Sequence, residues 1–334
     1  MTPPVPNPLG LAPHRLVRED GRTVAHARAE PGHPVLPGHY PGFAVLPAVC
    51  LVDCAHRAVA ADLHPDGPVP ELAAVERCRL RRPVLPGDDL TLTLAHRHGP
   101  DGEVRTDVTV TTARGRCADL RLVHRPAPAG AVTAAGAGSG DSTGTTGATS
   151  AGGTSTGAAD GPAGRPPVAD TVAVAGIIPH RYPILLVDRV TRLDPDRTLT
   201  AVKAVTANEP CYAGLTEDHG PHRYHYPRPL LAESWAQAAV LLACWNTPNP
   251  DVTTGKVELA GAFDDIAFHR PVTPGDLLEH HVRVVRAVGD STILAGGTRV
   301  AGRPVADFGH FIVTLRPLAD LLAPAAPAAR PVKE

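Results

Sequence analysis

The string RPVxPGDxL occurs twice in this chain, at Arg82 to Leu90 and again at Arg270 to Leu278. Each copy ends a longer shared passage, ELAAVERCRLRRPVLPGDDLTL in the first half and ELAGAFDDIAFHRPVTPGDLLEH in the second. Self-similarity on this scale means one structural unit used twice. Before each copy lies a long apolar segment, VLPAVCLVDCAHRAVAADL (45–63) and RPLLAESWAQAAVLLACW (228–245). Both are apolar on nearly every face of a helix, which predicts buried helices. After each copy come runs of alternating character, LTLTLAH, VRTDVTVTT and CADLRLVH, then LLEHHVRVVR, STILAGGTRV and PVADFGHFIVTL, the pattern of antiparallel strands. A further strand is predicted ahead of each helix, at 22–29 and 198–206. Each half therefore reads as an antiparallel sheet around one buried helix, an α+β arrangement.

Between the copies, residues 129–166 are almost devoid of large apolar side chains and cannot bury enough surface to offset the entropy of ordering. We read them as a flexible linker with a root-mean-square span of ~34 Å. The predicted domains are 1–128 and 167–334, in keeping with 334 residues at about 150 per domain. With 43% hydrophobic and 20% charged residues, the composition excludes collagen, coiled coil and wholesale disorder. A net charge of -2 supplies no overall field to draw the chain to nucleic acid or an anionic membrane. No charged leader precedes an apolar core at the N-terminus, and the longest apolar stretch carries Glu233 and Gln237 and falls short of the ~20 residues of a membrane span. A cytoplasmic protein is expected. The 6 cysteines form no CxxC pair and suggest neither a disulfide framework nor a zinc site.

Two acids interrupt the apolar helices at matching places, Asp53 in the first and Glu233 in the second, with Gln237 one turn beyond Glu233. A carboxylate on such a helix is costly unless it has a partner or a task. His39 sits in a Pro/Gly-rich turn just ahead of the first helix. His219, His222 and His225 cluster before the second, with no cysteine or acid in register for zinc.

The strings IIPHRYPILLVDRV (177–190), KAVTANEP (203–210), AESWAQAA (232–239) and HRPVTPGD (269–276) closely resemble the bacterial (3R)-hydroxyacyl-acyl carrier protein dehydratases of fatty acid synthesis. PGHYPGFAVLPAVCLVD resembles the same family's GHFPG signature and the acidic helix that follows it. The resemblance implies a hot-dog fold in each half and a double hot-dog pseudo-dimer overall, with each active site taking its histidine from one half and its acid from the other. It pairs His39 with Glu233 as catalytic residues and gives the oxyanion amide to Arg228 at the helix start. Asp53 and His219 would form a second, degenerate site, because the text around His219 lacks the GHFPG pattern. His180, in PHRYP, is read as structural, and Gln237 either as an orienter of its helix or as packing.

The resemblance further implies dehydration of (3R)-hydroxyacyl thioesters to trans-2-enoyl thioesters, with neither metal nor other cofactor. The partner is an acyl carrier protein, received by exposed positions among Arg77, Arg79, Arg81 and Arg82, and fused pairs are free to assemble into larger homo-oligomers. Fused halves favour a specialised polyketide pathway over housekeeping fatty acid synthesis. Two other readings stay open, a non-catalytic hot-dog partner subunit and a hot-dog thioesterase.

Overall fold

A computed structural model describes residues 9–19, 21–65, 69–126, 166–215, 221–253 and 256–318. Among the described residues, twelve strands form one antiparallel sheet in the order β1-β2-β4-β5-β6-β3-β9-β12-β11-β10-β8-β7. The first half contributes β1 (Arg15–Glu19), β2 (Arg22–Arg28), β3 (Glu71–Leu80), β4 (Asp89–His98), β5 (Val104–Thr112) and β6 (Gly115–Arg125). The second contributes β7 (Arg189–Asp194), β8 (Thr198–Ala204), β9 (Lys256–Phe268), β10 (Leu277–Val288), β11 (Ser291–Val300) and β12 (Arg303–Pro317). Read from the edges inward, the two halves have the same strand order, so the sequence repeat is a structural repeat.

The two helices predicted from their apolar faces are present as α1 (Ala48–Leu63) and α3 (Arg228–Cys244), with a short α2 (Thr171–Ile177) between them in sequence. α3 packs on β8, β10, β11 and β12, and nearly all its side chains are buried. Its central Trp235 is fully enclosed, stacked on Phe308 at 4.1 Å and donating its indole N–H to the His281 carbonyl. α1 likewise turns Cys50, Cys54, Ala55, Ala58 and Val59 into the core. All 6 cysteines are buried free thiols, acting as small apolar residues. The strands predicted at 22–29 and 198–206 are β2 and β8.

The halves join along β3 and β9, which pair antiparallel with Ala74 opposite Ala267 and Cys78 opposite Phe263. The seam is reinforced by Arg79, whose guanidinium grips Asp264 with two hydrogen bonds, Nη2 to Oδ2 at 2.6 Å. Arg228 adds a second link from the start of α3, reaching the Leu72 carbonyl and Glu71, 3.2 Å from Oε2. α1 and α3 touch across this seam. That contact brings the acid of one helix within reach of the loop that precedes the other. The predicted linker lies outside the described residues apart from Pro166. Among the described residues no helix is long and apolar enough to cross a membrane.

Candidate active site

His39 belongs to the Pro/Gly-rich loop joining β2 to α1. The residue before it is a glycine for a steric reason. A Cβ on Gly38 would collide with the backbone carbonyls of Arg181 and Tyr182, while the Gly38 carbonyl accepts the Arg181 N–H at 2.8 Å. The loop of the first half is thus pressed directly onto the PHRYP segment of the second. Tyr40, next in line, adopts a left-handed φ of 59° and stacks on the His39 ring at 4.4 Å. The His39 Nδ1 lies 2.8 Å from the Val45 carbonyl. A carbonyl can only accept, so Nδ1 carries the hydrogen and the lone pair of the neutral ring sits on Nε2. Burial pulls the imidazole down to about 4, against the pull of the Val45 hydrogen bond, and keeps the ring neutral.

Glu233 comes from the first turns of α3 in the other half. Burial pushes its carboxyl up to about 7, against a hydrogen bond from Gln237. Gln237 is held at both ends. Its Nε2 donates to the Ile184 carbonyl at 2.7 Å and to Glu233 Oε1 at 2.9 Å, and its Oε1 accepts the Leu186 N–H at 2.8 Å. Gln237 thereby fixes the Glu233 side chain through its Oε1 and ties it to the Ile184–Leu186 segment.

One ring nitrogen of His39, one of His180 and a carboxylate oxygen of Glu233 lie within 4.8 Å of one another, all buried. They line a cavity of about 320 Å³ between the halves, with Ala48 and Leu51 of α1 on one wall, Ala236 and Val240 of α3 on another, and Phe263 and Phe311 among its apolar residues. Arg81, Arg82 and Arg316 also border it. The trio is made of residue types that can share a divalent ion. Acid and base chemistry does not require one.

Two placements differ from expectation. His180, read as structural, lines the cavity, with Nε2 3.6 Å from Glu233 Oε1. Its motif matched a family string without offering the histidine a chemical partner nearby in sequence, and only the approach of Gly38 brings it to His39. Arg228, assigned the oxyanion amide, does not border the cavity. The helix start that does is that of α1, at Ala48. The reason is topological: a helix presents its first turn to the loop that leads into it, so the cavity holding His39 also holds the N-terminus of His39's own helix. The guanidinium of Arg228 serves the β3 seam instead.

Asp53, His222 and His225 do not border this cavity. Asp53 is buried on α1 and receives the Arg57 Nε at 2.7 Å. Burial pushes its carboxyl up while the Arg57 guanidinium pulls it down. Arg57 occupies in α1 the place that Gln237 takes in α3, four residues past the acid, so a cation sits where the other half has a neutral amide. His219 lies outside the described residues, and His222 and His225 are exposed. Of the four arginines considered for carrier-protein contact, Arg79 is bound to Asp264, Arg81 to Asp119 at 2.6 Å, and Arg77 stands 3.9 Å from Asp107. Arg82 donates to the Arg114 carbonyl and borders the cavity.

An antiparallel double hot dog with a buried histidine and acid meeting between its halves defines a class, the hot-dog dehydratases, and comparison with known proteins agrees. Residues 16–118 match the model of the ApeI-like dehydratases and residues 178–306 that of the FabA-like domain. The chain is 39% identical over 143 residues to the 3-hydroxyacyl-[acyl-carrier-protein] dehydratase FabZ of Anaeromyxobacter sp. (strain K), covering 43% of this chain and 88% of that protein. It is 37% identical over 148 residues to the FabZ of Methylobacterium sp. (strain 4-46), covering 44% and 87%. The chain belongs to the FabZ family of 3-hydroxyacyl-[acyl-carrier-protein] dehydratases. Its double hot-dog fold is that of the dehydratase domain of the polyketide synthase PpsC from Mycobacterium tuberculosis, with a TM-score of 0.56 and 15% identity over 92% of this chain and 98% of that one. The bifunctional dehydratase-cyclase domain of ambruticin biosynthesis is similar too, with a TM-score of 0.53 and 20% identity over 93% and 96%.

Proposed function

We propose that the chain dehydrates (3R)-hydroxyacyl thioesters carried on an acyl carrier protein, in fatty acid or polyketide assembly, at one site built from His39 of the first half and Glu233 of the second. The observation that carries this is the meeting of those two side chains, within 4.8 Å, in a cavity that both halves enclose. Removing water needs a base for the C2 proton and an acid for the C3 hydroxyl. His39 enters the reaction neutral with Nε2 free, and Glu233, raised by burial to about 7, enters with its proton. A buried ion pair would hold both groups in the opposite states, and desolvation is what prevents it.

His39 Nε2 takes the C2 proton, and the electrons of that bond form the C2–C3 double bond. The C3–O bond breaks onto oxygen, which receives the Glu233 proton and leaves as water. Charge that develops on the thioester oxygen is placed at the start of α1, where the first helical N–H groups lack intrahelical partners and the dipole end is positive. Ala48 is the residue of that turn bordering the cavity. The thioester arm enters past Arg82 and Arg316, neither of which has a carboxylate partner among the described residues, and these cations suit the acidic surface of a carrier protein.

Incubation with a 3-hydroxyacyl carrier-protein thioester tests the reading by mass. The expected product has lost one water and keeps its thioester. Release of free thiol without loss of water would favour a thioesterase, and binding with neither change would favour a non-catalytic partner subunit.

A further inference from the structure

We propose that His180 recognises the 3-hydroxyl group of the substrate and holds that oxygen, first as hydroxyl and then as departing water, against Glu233. This rests on the dehydratase reading of the same cavity and assigns its third polar wall. His180 is 3% exposed, and its Nε2 stands 3.6 Å from Glu233 Oε1, too far for a direct hydrogen bond. Its ring meets that of His39 edge-on at 5.4 Å. A triangle with no side longer than 4.8 Å contains a point within about 2.8 Å of all three corners, which is hydrogen-bond distance. The three donor atoms therefore frame a place for one oxygen atom.

The surroundings leave His180 available for that task. Gln237 already satisfies Glu233 Oε1, and His180 Nε2, which faces Glu233, makes no hydrogen bond among the described residues. Burial, with the nearby His39 and Arg181 as smaller influences, holds the ring well below its ordinary range, so it is neutral and offers a lone pair as well as an N–H. In the bound substrate the hydroxyl oxygen accepts the Glu233 proton while its own hydrogen points to the lone pair of His180 Nε2. When the C3–O bond breaks onto oxygen, that hydrogen stays where it is. The new water then has one hydrogen on the Glu233 carboxylate and one on His180. A saturated acyl chain has no oxygen for this place.

The test separates recognition of the hydroxyl from general integrity. In a His39→Asn background, where asparagine retains a donor for the Val45 carbonyl and removes the base, dissociation constants are measured for a 3-hydroxyacyl carrier protein and for its saturated analogue of equal length. The same pair is measured after adding His180→Phe and, separately, His180→Gln. With phenylalanine the preference for the hydroxylated chain should fall about five- to tenfold, the value of one lost hydrogen bond, with the saturated chain binding as before. Glutamine, which restores an acceptor, should recover part of it. An unchanged preference, or an equal loss for both ligands, overturns the proposal. If phenylalanine prevents folding, His180→Ala makes the same comparison. Continued turnover in the His39→Asn background would instead count against the His39–Glu233 reading, and is a separate result.

Discussion

In the proposed site, His39 and Glu233 hold protonation states opposite to those of an ordinary ion pair. Their pH dependence follows from burial. Glu233 must be protonated and His39 neutral, so kcat/KM should follow a bell, rising as His39 loses its proton near about 4 and falling as Glu233 ionises near about 7. Stability carries the same signature. Glu233 is raised in the folded state, so folding is unpenalised below its ordinary value of 4.5 and loses free energy as pH rises to about 7. His39 is lowered, so folding loses free energy as pH falls from 6.5 toward about 4. Glu233→Gln should accordingly raise stability at pH 8 by up to about 2 kcal/mol, and Tm with it, while abolishing dehydration; a Tm that falls at pH 8 would show that the carboxyl is not strained by burial. Asp53→Asn should leave dehydration unchanged in the mass assay, since its carboxyl is tied to Arg57 and does not border the cavity. His39 and Glu233 were legible because a signature motif and an acid on an apolar helix each stand out alone. His180 was not, since nothing in sequence brings PHRYP to the His39 loop.

At the level of elements, α1 and α3 were legible as long segments apolar on nearly every face and the hairpin strands as apolar positions repeating at 2 residues. Periodicity missed the short edge strands β1 and β7 and also the seam strands β3 and β9, for which no alternating run was read, and so could not show that β3 pairs with β9. The choice between Ala48 and Arg228 turned on which helix start faces the His39 cavity. Gly38 marks a close backbone contact between the two halves. Gly38→Ala should push the His39 loop away from the PHRYP segment and lower kcat/KM about a hundredfold, with a smaller effect on Tm, because a misplacement near 1 Å costs about that much. A variant that unfolds, or one with normal turnover, would mean that the contact does not set the position of His39.

For the whole molecule, the repeat makes a dimer's interface an internal feature of one chain, and the two copies are no longer interchangeable. One cavity has a neutral acid, a neutral base and an orienting amide. The other helix has an acid tied to Arg57. Because the proposed site lies within one chain, mixing full-length His39→Ala chains with full-length Glu233→Gln chains should restore no dehydration, and recovery on mixing would place the site between chains. The repeat, visible at once in RPVxPGDxL, marked two units, and the unequal roles expected of them rested on the resemblance of the His39 loop alone to GHFPG. The account stands most directly on the double substitution. His39→Ala, Glu233→Gln and the pair together should each lower kcat/KM for a 3-hydroxyacyl carrier protein by at least ~100-fold, with the double variant no worse than the poorer single one, as for residues acting as a unit. Losses that simply multiply, or near-normal turnover in either single variant, would contradict it.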